Sequence, residues 1–325
     1  MCTAMSFTAQ AHFFGRTLDL DYHHEESVCI MPRRYPLVFR RSGILHRHFA
    51  MIGVATVSDG YPLYYDSVNQ AGLAMAGLNF PGNAFYGKEK EGMHNIAPFE
   101  LIPWVLCQCR TLRDVRKLLK STNLTATPFS PEYPPSDLHW MIADNTGSIT
   151  VEPGETGLII SENPVGVLTN NPPFDYHLHN LCNYMHLTEN EPQNTLAPSV
   201  DLTPYSRGMG ALGMPGDLSS ASRFIRAVYT KFHSVTPEDE FAAVNQFFHI
   251  LGSVAQQEGC VRVGDNFEKT IYSSCCDTDR GIYYYTTYEN RQITAVHLHR
   301  EDLESSTPVS YPLRRTIQIR TENER

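Results

Sequence analysis

A chain of 325 residues, 42% hydrophobic and 19% charged, is long enough to bury a generous core without disulfide staples. Its 26 Lys and Arg against 35 Asp and Glu give a formal net charge of −9, which argues against a nucleic-acid surface and leaves any anionic ligand to be recognised by local groups. No apolar run approaches the ~20 residues that span a bilayer and no Lys/Arg-led apolar leader opens the chain, so a cytoplasmic protein without a membrane segment is expected.

In chain order, "HFFGRTLDL" from His12, "GILHRHFAMIGVATV" from Gly43 and "GLAMAGLNF" from Gly72 read as strands. From "APFELIPWVLCQC" onward the pattern turns helical, and Thr111 is placed to cap a segment with Leu112, Val115, Leu118 and Leu119 on one face. The Pro-rich stretches 126–137 and 190–204 read as long surface loops. Between them "LHWMIADNTGSITVEP" and "TGLIISE" read as further strands. A second helix is expected with Thr236 as N-cap, Pro237 at the first helical position, an acidic first turn and then "FAAVNQFFHIL". "GIYYYTTY" and "RQITAVHL", joined by the turn-like "ENRQ", close the series. Antiparallel groups of strands with helices in blocks between them imply an α+β fold with two sheets. Hydrophobic signals on both sides of each Pro-rich loop favour one domain over 1–325.

Most residues that could carry chemistry have ordinary readings. Cys2, Cys29, Cys107, Cys109, Cys182, Cys260, Cys275 and Cys276 contain no CxxC pair or zinc-like spacing, so reduced thiols are expected, with the adjacent Cys275 and Cys276 in an apolar β segment. His46 with His48, and His297 with His299, have strand spacing but no third ligand, so no metal is expected at either pair. Tyr283, Tyr284, Tyr285 and Tyr288 read as sheet packing.

Cys2 is different, because a small second residue allows an aminopeptidase to remove Met1 and leave cysteine at the chain end. Its nitrogen then becomes an amine with a pKa of about 7.7–8.0 instead of a non-basic amide. Such an amine can take the proton of its own thiol, so that one residue supplies both nucleophile and base.

The opening "MCTA" with "FGRTLD" resembles the choloylglycine hydrolase family of N-terminal nucleophile hydrolases, which covers bile salt hydrolases and penicillin V acylases. "GLAMAGLNFPGNAFY", "LHWMIAD", "GVLTNNPPFDYHLHNLCNY", "YSRGMGALGMPGDLSSASRFIRA" and "TIYSSCCDTDRGIYYYTTYENRQITAV" extend the resemblance in family order over almost the whole chain. It implies an αββα sandwich, with Cys2 as nucleophile once Met1 is removed. It also implies catalytic roles for Arg16, Asp19, Asn79, Asn170 and Arg223, with Asn171 a one-residue ambiguity beside Asn170. Physically, Arg16 and Arg223 would favour negative charge on sulfur, Asp19 would orient the amine or thiol, and the Asn170 side-chain amide with the Asn79 N–H would hold an oxyanion. Thr17 stands where the family opening usually has Asn.

By the same resemblance the substrates are conjugated bile salts, cut to a free bile acid and glycine or taurine, with no cofactor and no metal. The working form would be a homo-oligomer, a tetramer by family likeness. An apolar pocket is needed for the steroid, and Leu20, Tyr61, Leu63, Tyr65, Phe129 and Tyr133 are the candidates for its wall. A penicillin V acylase is the nearest alternative, but "NF" at Asn79 and Phe80 differs from the "YY" of those enzymes. An acylase acting on long-chain acyl amides such as lactone signals is a further alternative. A non-catalytic steroid-binding protein would be marked by loss of Cys2, Arg16, Asp19 or Arg223, and all four are present.

Overall fold

The structure is a computed structural model that describes residues 1–323. Alternation along its strands decides the layering. In Ser27–Met31, Val28 and Ile30 enter one core while Cys29 and Met31 enter another; in Leu138–Asp144, Met141 and Ala143 part in the same way from Trp140 and Ile142. Side chains of period two covered on both faces need a layer on each side of the sheet. One core lies between this sheet and a second one, and the other lies under the helices Leu101–Leu106 and Leu112–Leu119. On the far side, helices Ser220–His233 and Glu240–Gly252 join the core shared by the sheets through Phe224, Val244, Phe247 and Leu251. The result is the four-layer αββα sandwich.

The seven-stranded sheet runs Val167–Leu168, Cys2–Thr8, His12–Leu20, Asn266–Asp277, Ile282–Thr287, Thr294–His297, with Val261–Val263 added to Asn266–Asp277. The eight-stranded sheet runs Gly157–Glu162, Gly147–Gly154, Leu138–Asp144, Ala74–Asn79, Tyr61–Asn69, Met51–Ser58, Ser27–Met31, Val309–Pro312. Every pairing in both is antiparallel. Cys2–Thr8 and His12–Leu20 form a hairpin at the centre of the first sheet, with Cys2 opposite Leu18 and Ala4 opposite Arg16. Gly15 is required there by close approach, since a Cβ would stand 1.9 Å from the Ser274 carbonyl oxygen of the neighbouring strand.

Two expectations are corrected. The run from Gly43 to Val57 is two strands, Gly43–Leu45 and Met51–Ser58; between them His48 is drawn into the interior by bonds of its ring nitrogens to the Phe49 and Tyr35 carbonyls, 2.8 and 2.9 Å. The helix expected to be capped by Thr236 is capped by Asp239, whose carboxylate accepts from the Ala242 N–H at 2.9 Å, so Thr236 and Pro237 lie before it. Thr111 caps Leu112–Leu119 as expected, in a capping box with Asp114. Helices Phe174–Asn180 and Ser220–His233 carry no assignment from the sequence patterns above.

Candidate active site

Cys2 begins the first strand and is 3% exposed. Met1 precedes it in this chain, so the Cys2 nitrogen is a peptide N–H here and stands in for the α-amine of a processed chain. That nitrogen donates to Asn170 Oδ1 at 2.8 Å. The same oxygen accepts from Arg223 Nη2 at 2.7 Å, and Asn170 Nδ2 donates to the Asn79 carbonyl at 2.7 Å. One side-chain amide therefore ties the chain end to the arginine of the helix Ser220–His233 and to the end of the strand Ala74–Asn79. Asn171 turns away, its amide donating to the Pro81 carbonyl at 2.7 Å, so it is Asn170 that reaches Cys2.

Arg223 is fully buried. Its Nη1 reaches the Cys2 carbonyl at 2.5 Å and Thr3 Oγ1 at 2.6 Å, and stands 4.0 Å from Asp19 Oδ2. Asp19 is also fully buried; its carboxylate accepts from Thr270 Oγ1 at 2.7 Å and Thr17 Oγ1 at 3.2 Å. Thr17 additionally accepts from the Thr3 N–H at 3.2 Å, so this residue, where the family opening usually has Asn, couples the strand of Cys2 to Asp19. Arg16 lies behind, fully buried, donating to the carbonyls of Thr17, Tyr65 and Gly77, with Nη2 left without a partner. Burial works to lower the Arg16 pKa, but Cys2, Tyr272, Asp66 and Asp19 outweigh it and hold the guanidinium charged. For Arg223 burial wins over the pull of Asp19 and Cys2, and its pKa is lowered.

Several supporting residues escape sequence reasoning. Asn170 is fixed from both sides: its N–H donates to Ser220 Oγ at 2.8 Å and its carbonyl accepts from His177 Nε2 at 2.8 Å. The preceding Thr169 carbonyl accepts from His139 Nε2 at 2.8 Å, while His139 Nδ1 faces Glu152 at 3.1 Å. Behind Arg16, Asp66 accepts from Tyr272, Tyr283 and Ser274, and burial pushes its carboxyl pKa up against the opposing pull of Arg16. Polar residues inside apolar strands carry no periodic signal that announces such a network. His139, His177, Ser220, Tyr272, Ser274 and Tyr283 lie inside the quoted family segments, but nothing in those segments says which distant group each one bonds.

An apolar cavity of about 310 Å³ opens beside the Arg16 guanidinium, with Gly77 and Tyr65 common to both. Leu63, Tyr65, Phe129 and Tyr133 line it, together with Tyr22, His24 and Phe99. Leu20 and Tyr61 do not. Leu20 packs against the core between the sheets, and the Tyr61 ring lies behind the wall, 5.7 Å from Phe129 and 5.9 Å from Phe99. Part of the wall comes from the Pro-rich loop 126–137. Among the described residues no group of three or more His, Cys, Asp or Glu could hold a metal ion. No helix among them is long and apolar enough to cross a membrane.

The αββα sandwich with a cysteine at the start of its first central strand is the fold of the N-terminal nucleophile hydrolases. Residues 2–311 match the linear amide C–N hydrolases of the choloylglycine hydrolase family, and the chain belongs to that family. It is 52% identical over 319 residues to a bile salt hydrolase/transferase of Lactiplantibacillus plantarum, covering 98% of each chain. It is 37% identical over 325 residues to a bile salt hydrolase/transferase of Clostridium perfringens, covering 98% of this chain and 99% of that one. The crystal structure of the C2A form of conjugated bile acid hydrolase from Clostridium perfringens superimposes with a TM-score of 0.92 at 36% identity, covering 99% of this chain and 100% of that one. Penicillin V acylase from Agrobacterium tumefaciens shares the fold, with a TM-score of 0.75 at 17% identity over 95% of this chain and 90% of that one.

Proposed function

We infer that the protein hydrolyses the amide bond of glycine- or taurine-conjugated bile salts, with Cys2 as nucleophile after removal of Met1. The observation that carries the catalytic assignment is the junction at Asn170, where the Cys2 nitrogen and the buried Arg223 meet on one side-chain oxygen. The full-length likeness to bile salt hydrolases and the apolar cavity beside Arg16 support the substrate.

In this reading the Cys2 α-amine takes the thiol proton and sulfur attacks the substrate carbonyl. The second N–H of the Asn170 amide and the Asn79 N–H stabilise the oxyanion, a contribution of about 3 kcal/mol per donor. The α-ammonium protonates the departing amine, and water then cleaves the thioester. Arg16 and Arg223 supply positive charge around the sulfur, Asp19 orients the chain end through its threonine partners, and Leu63, Tyr65, Phe129 and Tyr133 receive the steroid.

We further propose a single domain over residues 1–325 working in the cytoplasm as a homo-oligomer, a tetramer by family likeness. All eight cysteines are free thiols, which suits a reducing compartment. Met185, Leu196, Tyr205 and Leu212 are exposed on one irregular stretch and suit burial against another subunit. Incubating the purified protein with glycocholate, taurocholate and penicillin V, and measuring the amine released, tests the substrate directly. Glycine and taurine are expected; release of the penicillin nucleus alone would overturn the assignment.

A further inference from the structure

Glu268 lies in the strand Asn266–Asp277, opposite Val261, and its side chain is only 6% exposed. Its carboxylate meets the Met1 ammonium, which is its one ion-pair partner among the described residues. The adjacent Lys269 is engaged elsewhere, 3.1 Å from Glu258 and 3.8 Å from Glu289. Removal of Met1 takes away the ion-pair partner of Glu268, so the carboxylate must find another cation or be hydrated. The same cleavage creates a new ammonium at the Cys2 nitrogen, three bonds along the chain and about 3–4 Å from the nitrogen that is lost.

We propose that Glu268 is a positioning residue for the α-amine of processed Cys2. It exchanges the Met1 ammonium for the Cys2 ammonium and, with Asn170 Oδ1 on another N–H, orients the nitrogen towards its own sulfur. This rests on the reading of Cys2 as nucleophile and adds a residue to it. The titratable groups that face the chain-end nitrogen are the Asp19 carboxylate, the Cys2 thiol and the guanidinium groups of Arg223 and Arg16, so Glu268 brings a second carboxylate from a neighbouring strand to offset two arginines. The ammonium that Glu268 faces is the one formed when the neutral Cys2 amine takes its own thiol proton, so Glu268 stabilises the ammonium–thiolate pair from which sulfur attacks. The ammonium gives that proton to the leaving amine, and Glu268 stays ionised throughout.

The test uses protein released from an N-terminal fusion so that Cys2 is the first residue, verified by intact mass, with Glu268→Gln and the similarly sized Glu268→Met as uncharged variants and Glu268→Asp as the conservative one. Removing the negative charge weakens proton binding at the site, so both limbs of the pH–kcat profile for glycocholate should move to lower pH by about 0.5–1 unit. At the optimum kcat should fall about tenfold with KM within about twofold, and Glu268→Asp should recover part of the loss. Alkylation of Cys2 by iodoacetamide, followed against pH without any bile salt, should show the same shift. That readout separates the two ideas: a parent enzyme inactive on bile salts overturns the substrate assignment, whereas the alkylation shift still decides the role of Glu268. Folded uncharged variants with the parent's pH profile, kcat and alkylation rates would overturn the proposal.

Discussion

One side chain, Asn170, bonds Cys2, Arg223 and Asn79 at once, so its loss should disturb the chain end, the cation and the proposed oxyanion site together. Asn170→Ala is expected to lower kcat by about 10²–10³, whereas Asn171→Ala, whose amide only reaches the Pro81 carbonyl at a more exposed position, should leave it near the parent value. Steady-state kinetics of the two variants separate these outcomes, and reversed effects would move the catalytic asparagine to 171. Cys2→Ala should abolish turnover and retain a cooperative melt, since replacing a thiol by hydrogen at the end of a strand opens little cavity. Residual activity above about one per cent in a clean preparation would contradict the proposed role of Cys2 as nucleophile. At this scale the sequence told which residues meet, because the family segments contain Cys2, Arg16, Asp19, Asn79, Asn170 and Arg223. It did not tell what holds them. His177, His139 and Thr270 act through buried bonds to Asn170, Thr169 and Asp19, and those bonds exist only after distant strands and helices have packed.

Elements were legible where one local signal stood alone, and misread where two competed. Thr111 had a polar cap followed by a clean amphipathic face and was placed correctly; Thr236 with Pro237 imitated the same start, yet Asp239 captures the Ala242 N–H and begins the helix there. Asp239→Ala should therefore cost about 1 kcal/mol of stability and Thr236→Ala almost nothing, a difference readable in denaturant midpoints. Equal costs would restore the original cap. The hairpin of Cys2–Thr8 with His12–Leu20 also carries a titration. His12 bonds Ser6 Oγ at 2.9 Å and Thr278 Oγ1 at 2.8 Å, and burial lowers its pKa to about 4, outweighing Asp279 and Asp144. Between about pH 6.5 and 4 the unfolded chain binds a proton that folded His12 refuses, so its contribution is full above that window and falls as the solution is acidified. The loss through the window is roughly 3 kcal/mol. His12→Asn should flatten this part of the stability–pH curve, measured by urea unfolding; an unchanged slope would mean that His12 is not the group responsible.

Across the whole molecule, the same sheet that presents Cys2 also holds Met1, the residue whose removal the proposed mechanism requires. Met1 extends the first strand: its ammonium donates to the Asp19 carbonyl at 2.7 Å and its carbonyl accepts from the Asp19 N–H at 2.9 Å. The ammonium meets Glu268, its pKa is lowered by burial, and the next nitrogen along is bonded to Asn170. An aminopeptidase needs a free amine and an extended residue in its own cleft. Both are denied by a ladder that draws on the first two strands, on Asn266–Asp277 and on Asn170 just after Val167–Leu168. Excision of Met1 should therefore precede folding, while the nascent end is still extended, and chains that fold first should be held as an inactive form. Protein made with cellular methionine aminopeptidase inhibited supplies the folded Met1-bearing chain. Incubated with that peptidase in native buffer it should keep its mass and stay inactive, whereas refolding in the peptidase's presence should lose one methionine and gain hydrolysis of glycocholate in proportion. Rapid trimming of the native chain would show that the ladder at Met1 opens freely and that folding places no constraint on processing.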